Sequence, residues 1–315
     1  MRMQNVLLLL FQLMLSAASA QSAFQVVPLG VKGGIQEGNL SSYMLAPAGS
    51  DRFICLDAGT LTTGIQKAVD NRIFNVSADS VLRNYIKGYF ISHGHLDHIS
   101  GLIINSADDS HKSIYSFPPC LEIIKNHYFN WESWPNFGNE GAGFALKKYK
   151  YKTLEEGQEV KIDQTEMYVK SFKLSHSVPY ESAAFLIRSD SSYILYFGDT
   201  GPDEIEKSDK MLQVWKSIAP LVKAGKLKGI FLEVSYPDEQ ADGKLYGHLT
   251  PKWFFKELEI LSKLAGKEKL NGLNVIVTHL KPGGGNEEKI QMQLESKNSL
   301  HVKLIIPEQG TKLEL

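Results

Sequence analysis

Cysteine, long apolar runs and an excess of one charge are all scarce in this chain of 315 residues. Two cysteines are too few for a disulfide-rich scaffold or for a zinc fold built on thiolates. Lys and Arg number 34 against 35 for Asp and Glu, and the chain has no long basic run, which argues against a dedicated nucleic-acid binder. The remaining composition, 43% hydrophobic and 22% charged, excludes disordered and collagen-like classes and predicts a globular protein.

The first twenty residues are interpreted as a secretory signal peptide. Arg2 provides the positive start, residues 6–15 form the apolar segment, and residues 18–20 read ASA, a small-residue cleavage site. The apolar segment is too short to cross a bilayer as a helix. We therefore expect export and a mature protein of residues 21–315 without a membrane anchor. Export would place both cysteines in an oxidising compartment, and whether they pair is left open.

The rest of the chain alternates predicted strands and helices without a clear linker. Strand patterns cover residues 24–27, 42–45, 52–57, 88–92, 112–117, 167–174, 183–188, 193–196, 229–234, 274–278 and 302–306. Helical periodicity covers residues 121–129, 205–222 and 251–264. Strands followed by alternating strands and helices, twice over, predict two sheets packed face to face with helices outside. We expect one domain over residues 21–315, with a loop at 136–143.

The strongest chemical signal is the hexapeptide HGHLDH at residues 93–98, between an apolar strand and an apolar helix start. Positions two apart in an extended segment project to the same side, so His93 and His95 can bind one ion together. After the turn, Asp97 and His98 can face a second ion a few ångströms away. Imidazole and carboxylate together suit Zn²⁺ best, with Mn²⁺ or Fe as alternatives, so the segment predicts part of a two-ion site.

Later parts of the chain offer further candidate ligands: the strand-end residues His176, Asp199 and His279, and His248 in a glycine-flanked loop. Ligand sites gather at the carboxyl ends of strands in layered α/β sheets, so we expect these side chains to meet residues 93–98. A carboxylate at position 199 could bridge two ions, and Gly198 before it allows close backbone approach. The other histidines lack such a placement and are interpreted as surface or packing residues: His111, His127 and His301.

The run HGHLDHISGLIINSA, residues 93–107, resembles the signature of class II cyclic-nucleotide phosphodiesterases along its full length. Residues 126–131 with the WP pair at 134–135, and GHLTP at 247–251, are also similar to that family. The resemblance covers essentially the whole mature chain. It implies the metallo-β-lactamase fold, an α+β, four-layer αββα sandwich with the site at one rim. Together with the signal peptide, it implies the periplasmic bacterial form of the enzyme.

The resemblance also implies a ligand set and a reaction. Two divalent ions, Zn²⁺ by preference, would share Asp199, with the other ligands divided as His93, His95 and His176 on one ion and Asp97, His98 and His279 on the other. A hydroxide bridging the ions would open a 3′,5′-cyclic nucleotide to a nucleoside 5′-monophosphate. The family favours cyclic AMP. Asp97 is predicted to be catalytic as well as a ligand.

The leaving 3′ oxygen needs a proton. His248 is the candidate donor and phosphate contact, with Glu233 as the carboxylate that orients it. Aromatic side chains stack on purines, and one cluster could hold the base: Tyr128, Phe129, Trp131, Trp134 and Phe137. Asn130 and Trp134 are the candidate substrate contacts, although core packing is the ordinary interpretation for most of this cluster.

Other functions would keep the same ligands. Another hydrolase of this fold, acting on a phosphodiester, a thioester or a lactam, is one alternative, against which the long match at 96–107 argues. A redox metalloprotein of the fold usually carries a carboxylate where His95 stands. A non-enzymatic metal-binding or adhesion module would have little use for seven ligands together with His248. The resident metal, the choice between cyclic AMP and cyclic GMP, and the oligomeric state are left open.

Overall fold

Residues 22–315 are described by a computed structural model, so the predicted signal peptide at residues 1–20 lies outside the described range. The described strands form two mixed sheets of seven. From edge to edge, the first sheet contains β14 (Leu313–Glu314), β1 (Phe24–Gly30), β2 (Ser42–Pro47), β3 (Phe53–Leu56), β4 (Ile86–Phe90), β5 (Lys112–Ser116) and β6 (Tyr149–Thr153). The second contains β13 (Lys303–Ile305), β12 (Asn274–Thr278), β11 (Leu227–Glu233), β10 (Ser192–Phe197), β9 (Glu181–Ser189), β8 (Tyr168–Ser175) and β7 (Glu159–Lys161).

The α-helices of the described part of the chain are α1 (Thr62–Asp70), α2 (Ala78–Ser80), α3 (Leu96–Asn105), α4 (Pro118–Ile123), α5 (Asp203–Glu206), α6 (Lys210–Lys223), α7 (Pro251–Ala265) and α8 (Asn286–Lys297). Single π-helical turns extend α2 through Val81–Tyr85 and α4 through Ile124–Tyr128. None of the helices within residues 22–315 has both the length and the apolar character needed to cross a membrane.

The two sheets face each other across a shared apolar layer. Phe90 from the first sheet meets Phe185 from the second in an edge-to-face contact with ring centroids 5.6 Å apart. The outer face of the first sheet packs under α1, α3 and α4, and that of the second packs under α6 and α7. Both faces of each sheet are therefore buried, which explains the continuous apolar runs of the central strands. The predicted four-layer αββα sandwich is confirmed.

Two predicted helices need correction, and several further elements were not predicted. The helix predicted at 205–222 is interrupted, because Lys207 adopts a left-handed conformation and the Asp203 carboxylate accepts hydrogen bonds from the first turn of α6. The helix predicted at 121–129 begins earlier, at Pro118, since proline fits the first turn of a helix. The sequence patterns also missed α1, α2, α8, β6, β7 and β14, which are short, charged or at sheet edges.

The sheet topology brings several strand ends to one rim. β8, β10, β11 and β12 run in the same direction in the second sheet, as do β3, β4 and β5 in the first. Their carboxyl ends carry most of the polar residues singled out above. Cys55 and Cys120 are buried as free thiols in the apolar layer under the first sheet, so they act as small apolar side chains.

Candidate metal centre

The candidate ligands leave strands of both sheets at the common rim. β4 leads into the loop with His93 and His95, and α3 presents Asp97 and His98 in its first turn. On the opposite sheet, the strands β8, β10 and β12 are followed by His176, Asp199 and His279. Gly198 permits this approach, because a Cβ there would lie 2.3 Å from the Cβ of Ser92.

One group of ligand atoms consists of three imidazole nitrogens. His93 Nε2 lies 3.0 Å from His95 Nδ1, and His176 Nε2 lies 3.3 Å from the same atom. His93 and His176 are buried, whereas His95 is exposed on one side and stacks on the ring of Tyr180 at 4.6 Å. Three imidazole nitrogens that converge in this way can bind one metal ion together.

A second group surrounds Asp199. Its Oδ2 lies 3.3 Å from His98 Nε2 and 3.2 Å from His279 Nε2, and Asp97 Oδ2 lies 3.1 Å from His279 Nε2. The same Asp199 oxygen is 3.8 Å from His93 Nε2, in the first group. Asp199 is therefore placed between the two groups, where one carboxylate can serve both.

The residues present fit a metal better than they fit one another. His98 Nε2 is buried and makes no hydrogen bond to any atom of residues 22–315, although Asp199 Oδ2 lies within 3.3 Å. A buried polar atom without a hydrogen-bond partner destabilises the folded protein, and a metal ion bound to His98 Nε2 would remove that cost. Imidazole and carboxylate ligands together are the donor set that Zn²⁺ takes in hydrolases.

The outer nitrogens of the imidazoles are held by the protein. His98 Nδ1 lies 2.8 Å from Asp57 Oδ2, His176 Nδ1 donates to the carbonyl of Gly247 at 2.8 Å, and His279 Nδ1 pairs with Ser235 Oγ at 2.8 Å. Such partners fix the ring orientation and leave the other nitrogen free for an ion. Sequence reasoning missed Asp57, although it follows β3 at the same rim.

Asp57 is the most connected of these partners. It is fully buried and also accepts hydrogen bonds from the backbone and hydroxyl of Ser92 and, at 2.7 Å, from Tyr196. Ser92 follows β4 of the first sheet and Tyr196 lies in β10 of the second, so Asp57 links the two halves of the sandwich beside the ligands. Its position makes the geometry of His98 depend on both sheets.

Burial and mutual repulsion set the charge of the cluster. Burial, aided by the neighbouring His98, lowers the pKa of His93 well below its ordinary value, and burial together with His176 lowers the pKa of His95. Burial opposes ionisation of Asp199, but His279 and His98 outweigh it and hold the pKa of that carboxyl well below its usual range. Burial opposes protonation of His98 as well, but Asp199 and Asp57 outweigh it and hold the pKa of that imidazole well above its ordinary value. A metal ion would bind the neutral forms of His93 and His95 and the ionised Asp199 directly, and would displace the proton of His98.

Glu233 and His248 form a buried pair beside the ligands. Glu233 ends β11, and its Oε1 lies 2.8 Å from His248 Nδ1, as the sequence predicted. Four donors saturate the carboxylate: His248, Ser235 Oγ, and the backbone N–H groups of Thr200 and Leu249. With Nδ1–H given to Glu233, the imidazole presents Nε2 outward.

Lys281 and Tyr236 complete this arrangement and were missed by sequence reasoning. Lys281 Nζ donates to His248 Nε2 at 3.0 Å and to Tyr236 Oη at 3.2 Å. The ammonium group also lies 5.0 Å from the centre of the Tyr236 ring. Both residues are in irregular loops after β11 and β12, where periodicity carries no signal. The site thus holds a cation next to the histidine that was expected to donate a proton.

The predicted substrate contacts Asn130 and Trp134 form their hydrogen bonds with residues outside the ligand cluster. Asn130 Oδ1 accepts from the backbone of Glu132 and Ser133, which makes it a turn residue. The indole of Trp134 donates to Ser106 Oγ at 3.0 Å and packs on the apolar layer under the first sheet. Their observed contacts are structural.

The rest of the aromatic cluster behaves similarly, with one exception. Phe129 is fully buried, Phe137 packs on it, and Trp131 donates its indole N–H to Phe144 O. Tyr128 is the exception, since its hydroxyl donates to the carbonyl of Gly94 at 3.0 Å, within the ligand loop. Tyr128 therefore links this aromatic cluster to the loop that carries His93 and His95.

Comparisons with known proteins agree with this geometry. The family model described as "cAMP phosphodiesterases class-II" matches residues 23–310. A 3′,5′-cyclic-nucleotide phosphodiesterase of Aliivibrio fischeri is 44% identical over 327 residues, covering 99% of each chain. The crystal structure of unliganded yeast PDE1 superposes with a TM-score of 0.84 at 25% identity, covering 94% of this chain and 100% of that one. The metallo-β-lactamase fold protein YhfI from Bacillus subtilis, 17% identical, matches with a TM-score of 0.60 over 92% of this chain and 99% of its own. The chain, an α+β sandwich with the metallo-β-lactamase fold, therefore belongs to the class II cyclic-nucleotide phosphodiesterases.

Proposed function

We propose that this protein hydrolyses 3′,5′-cyclic nucleotides, cyclic AMP in preference to cyclic GMP, to nucleoside 5′-monophosphates, using two divalent metal ions, Zn²⁺ by preference. The observation that carries the proposal is the position of Asp199 between two groups of ligand atoms. The family, whose model spans residues 23–310, gives the substrate class.

The division of the ligands that the resemblance implies is supported by the two groups of ligand atoms. His93, His95 and His176 would hold one ion, and Asp97, His98 and His279 the other, with Asp199 shared. Bound there, the ions supply a nucleophile derived from water at neutral pH and neutralise charge on the phosphate oxygens. The backbone N–H of Gly34 donates to Asp97 Oδ2 at 2.8 Å, which fixes the orientation of the carboxylate beside His279.

His248 is placed to serve the leaving oxygen. Glu233 holds Nδ1–H, so any proton that His248 gives to substrate leaves from Nε2. Lys281 Nζ donates to that same atom in the structure, so His248 can give a proton from Nε2 only in its doubly protonated form, once this contact has opened. While the contact holds, the Lys281 ammonium is the proton donor and the cation of the pair. The pair can stabilise the departing 3′ oxygen with a hydrogen bond and a cation.

The first experiment incubates the Zn²⁺-loaded protein with cyclic AMP, with and without a chelator, and separates the nucleotides. We expect 5′-AMP, no 3′-AMP, and loss of turnover with the chelator. Asp199→Ala should be inactive, while Asp51→Ala, which changes an exposed carboxylate far from the rim, should match the wild type. Release of 3′-AMP, or full turnover in the chelator, would refute the proposal.

A second substrate isolates the role of His248. In methyl p-nitrophenyl phosphate the p-nitrophenolate leaves without protonation, so a variant that lacks only leaving-group assistance retains more of its activity there. His248→Ala and Lys281→Met should therefore lose more activity toward cyclic AMP than toward the activated diester. Equal losses on both substrates would assign these residues to phosphate binding instead.

We also propose that residues 1–20 direct export to the periplasm and that the exported protein begins at Gln21. Fractionation of cells making the chain, with N-terminal sequencing of the product, tests this. A cytoplasmic product that retains Met1 would contradict it.

A further inference from the structure

A cleft of about 540 Å³ opens beside the metal centre, within the size range of small-molecule sites. One wall is a single face of α3, on which Asp97, Gly101, Ile104 and Asn105 recur at helical spacing. Asp97 belongs to the ligand cluster as well, so the cleft begins at that cluster. From Asp97 to Asn105 the helix rises about 12 Å, a span that an extended nucleotide can bridge.

The cleft exposes large apolar side chains next to a highly polar centre. Ile35 is 85% exposed, Ile104 64% and Leu96 63%, and all three line it. Leu96 stands inside the ligand hexapeptide, where helix packing alone would favour a polar residue at such an exposed position. Apolar surface kept exposed at the edge of a polar site is typical of a ligand-binding groove.

The second wall is fastened to the metal centre. Gly34, the residue before Ile35, donates its backbone N–H to Asp97 Oδ2 at 2.8 Å, and Gly33 donates to the carbonyl of Leu280 at 3.1 Å. A side chain at Gly33 would strike the imidazole of His279, since a Cβ would lie 2.3 Å from its ring. The loop that carries Ile35 is therefore held at a fixed place relative to the ligands.

We propose that this cleft receives the nucleobase of the substrate, with the flat faces of the base between Ile35 on one side and Leu96 and Ile104 on the other. The assignment rests on the proposed function, because it takes the phosphate to lie at the ligand cluster. A purine is flat and apolar on its faces and polar at its edges, which matches a groove with apolar walls and a polar end.

Asn105 at the far end of the cleft gives the site a means of selecting adenine. Its Oδ1 accepts from Thr62 Oγ1 and its Nδ2 donates to the carbonyl of Gly101 at 2.8 Å. Oδ1 can accept one more hydrogen bond, and Nδ2 can donate one more. An amide with both free matches N6–H and N7 of adenine, whereas guanine offers two acceptors, O6 and N7.

Two variants and a substrate without a base test the assignment. The measured quantity is kcat/KM for cyclic AMP divided by kcat/KM for methyl p-nitrophenyl phosphate. Ile104→Trp fills the cleft, so the base loses its contact with the apolar wall on α3. This ratio should then fall about tenfold or more. Met292→Trp, a change of the same kind at a 61% exposed position on α8, should leave the ratio at the wild-type value.

The preference between bases is the readout for Asn105. In Asn105→Ala, the ratio of kcat/KM for cyclic AMP to that for cyclic GMP should fall toward one, about a tenfold change if the amide makes both hydrogen bonds. A purely structural role for Asn105 would lower both values together and leave their ratio unchanged.

Binding without turnover gives an independent measurement. The wild type should bind 5′-AMP more tightly than ribose 5-phosphate, and Ile104→Trp should remove most of that difference. Unchanged ratios and unchanged 5′-AMP binding in both variants would overturn the cleft assignment while leaving the proposed function intact. A wild-type protein that cleaves methyl p-nitrophenyl phosphate but neither cyclic nucleotide would overturn the proposed function itself, and the cleft assignment with it.

Discussion

Two buried polar clusters lie at opposite ends of the strands of the first sheet. At the amino-terminal end of β5, Lys112 pairs with Asp109, and Tyr89 and Tyr149 donate to the same carboxylate at 2.7 and 2.8 Å. At the carboxyl end of β4 stands the ligand cluster. Both contain charged side chains removed from water, but only the first satisfies each of its groups.

The two clusters differ in whether all of their buried polar groups have hydrogen-bond partners. Lys112 has three donors and uses all of them, on Asp109, the carbonyl of Leu82 and Ser110 Oγ. In the ligand cluster imidazole nitrogens face one another, and His98 Nε2 makes no hydrogen bond within residues 22–315. A closed cluster, in which every buried polar group has a hydrogen-bond partner, stabilises the fold. An open cluster, in which a buried polar atom lacks a partner, is arranged to bind a ligand, here a metal ion.

Breaking the closed cluster should damage stability. Asp109→Ala leaves the Lys112 ammonium buried without its carboxylate, so we expect the free energy of unfolding to fall by about 3–5 kcal/mol in urea titrations. The activity of the folded fraction should stay at the wild-type level. Glu166→Ala, which removes an exposed ion pair, serves as the control and should not shift the unfolding curve. A stable Asp109→Ala protein would show that the two clusters do not differ as described.

Breaking the open cluster should damage function instead. Asp199→Ala removes the carboxylate shared by both groups, and we expect more than about a 100-fold loss of kcat/KM, since even outer partners of metal ligands cost 10–100-fold. Metal analysis should find less than the wild-type content of zinc per chain. Near-normal zinc content together with near-normal activity would remove Asp199 from the centre.

Filling the open cluster should stabilise the protein. Zn²⁺ that binds the folded chain alone raises the free energy of unfolding by about 2.7 kcal/mol when free metal is about one hundred times the dissociation constant. Thermal unfolding with Zn²⁺ and with chelator measures this difference. The gain should persist in Asp109→Ala and shrink in Asp199→Ala, a pattern that a nonspecific effect of zinc would not produce.

Loosening the partners of the ligands should have a smaller effect. Asp57→Asn keeps the size of the side chain but weakens its hold on His98 Nδ1, so we expect a 10- to 100-fold loss of zinc affinity. Competition with a coloured chelator measures it. Asp163→Asn, at a half-exposed carboxylate far from the rim, is the matched control. Unchanged affinity in Asp57→Asn would mean that Asp57 only links the two sheets.

The sequence carried more information about the ligands than about their surroundings. The candidate ligands were predicted because they stand at strand ends or in one short motif, and the structure brings all seven together. Asp57 obeys the same rule and was overlooked. Lys281, Tyr236 and Tyr180 lie in loops whose path depends on tertiary packing, so no local pattern places them near His248 or His95.

The fold shows the same division. Apolar runs predicted the central strands and the face-to-face packing, because burial on both sides leaves a clear signal. β6, with the sequence YKYKT, was missed since an edge strand carries charged side chains. The interruption between α5 and α6 depends on one left-handed residue, Lys207, which helical periodicity cannot reveal.

Titration of the metal-free protein with Zn²⁺, following bound metal and 5′-AMP formation from cyclic AMP in the same samples, decides whether the open cluster is a two-ion centre for cyclic-nucleotide hydrolysis. We expect bound zinc to level off at about two ions per chain, with activity reaching its maximum only as the second ion binds. Full activity at one ion per chain, or turnover by the metal-free protein, would contradict this.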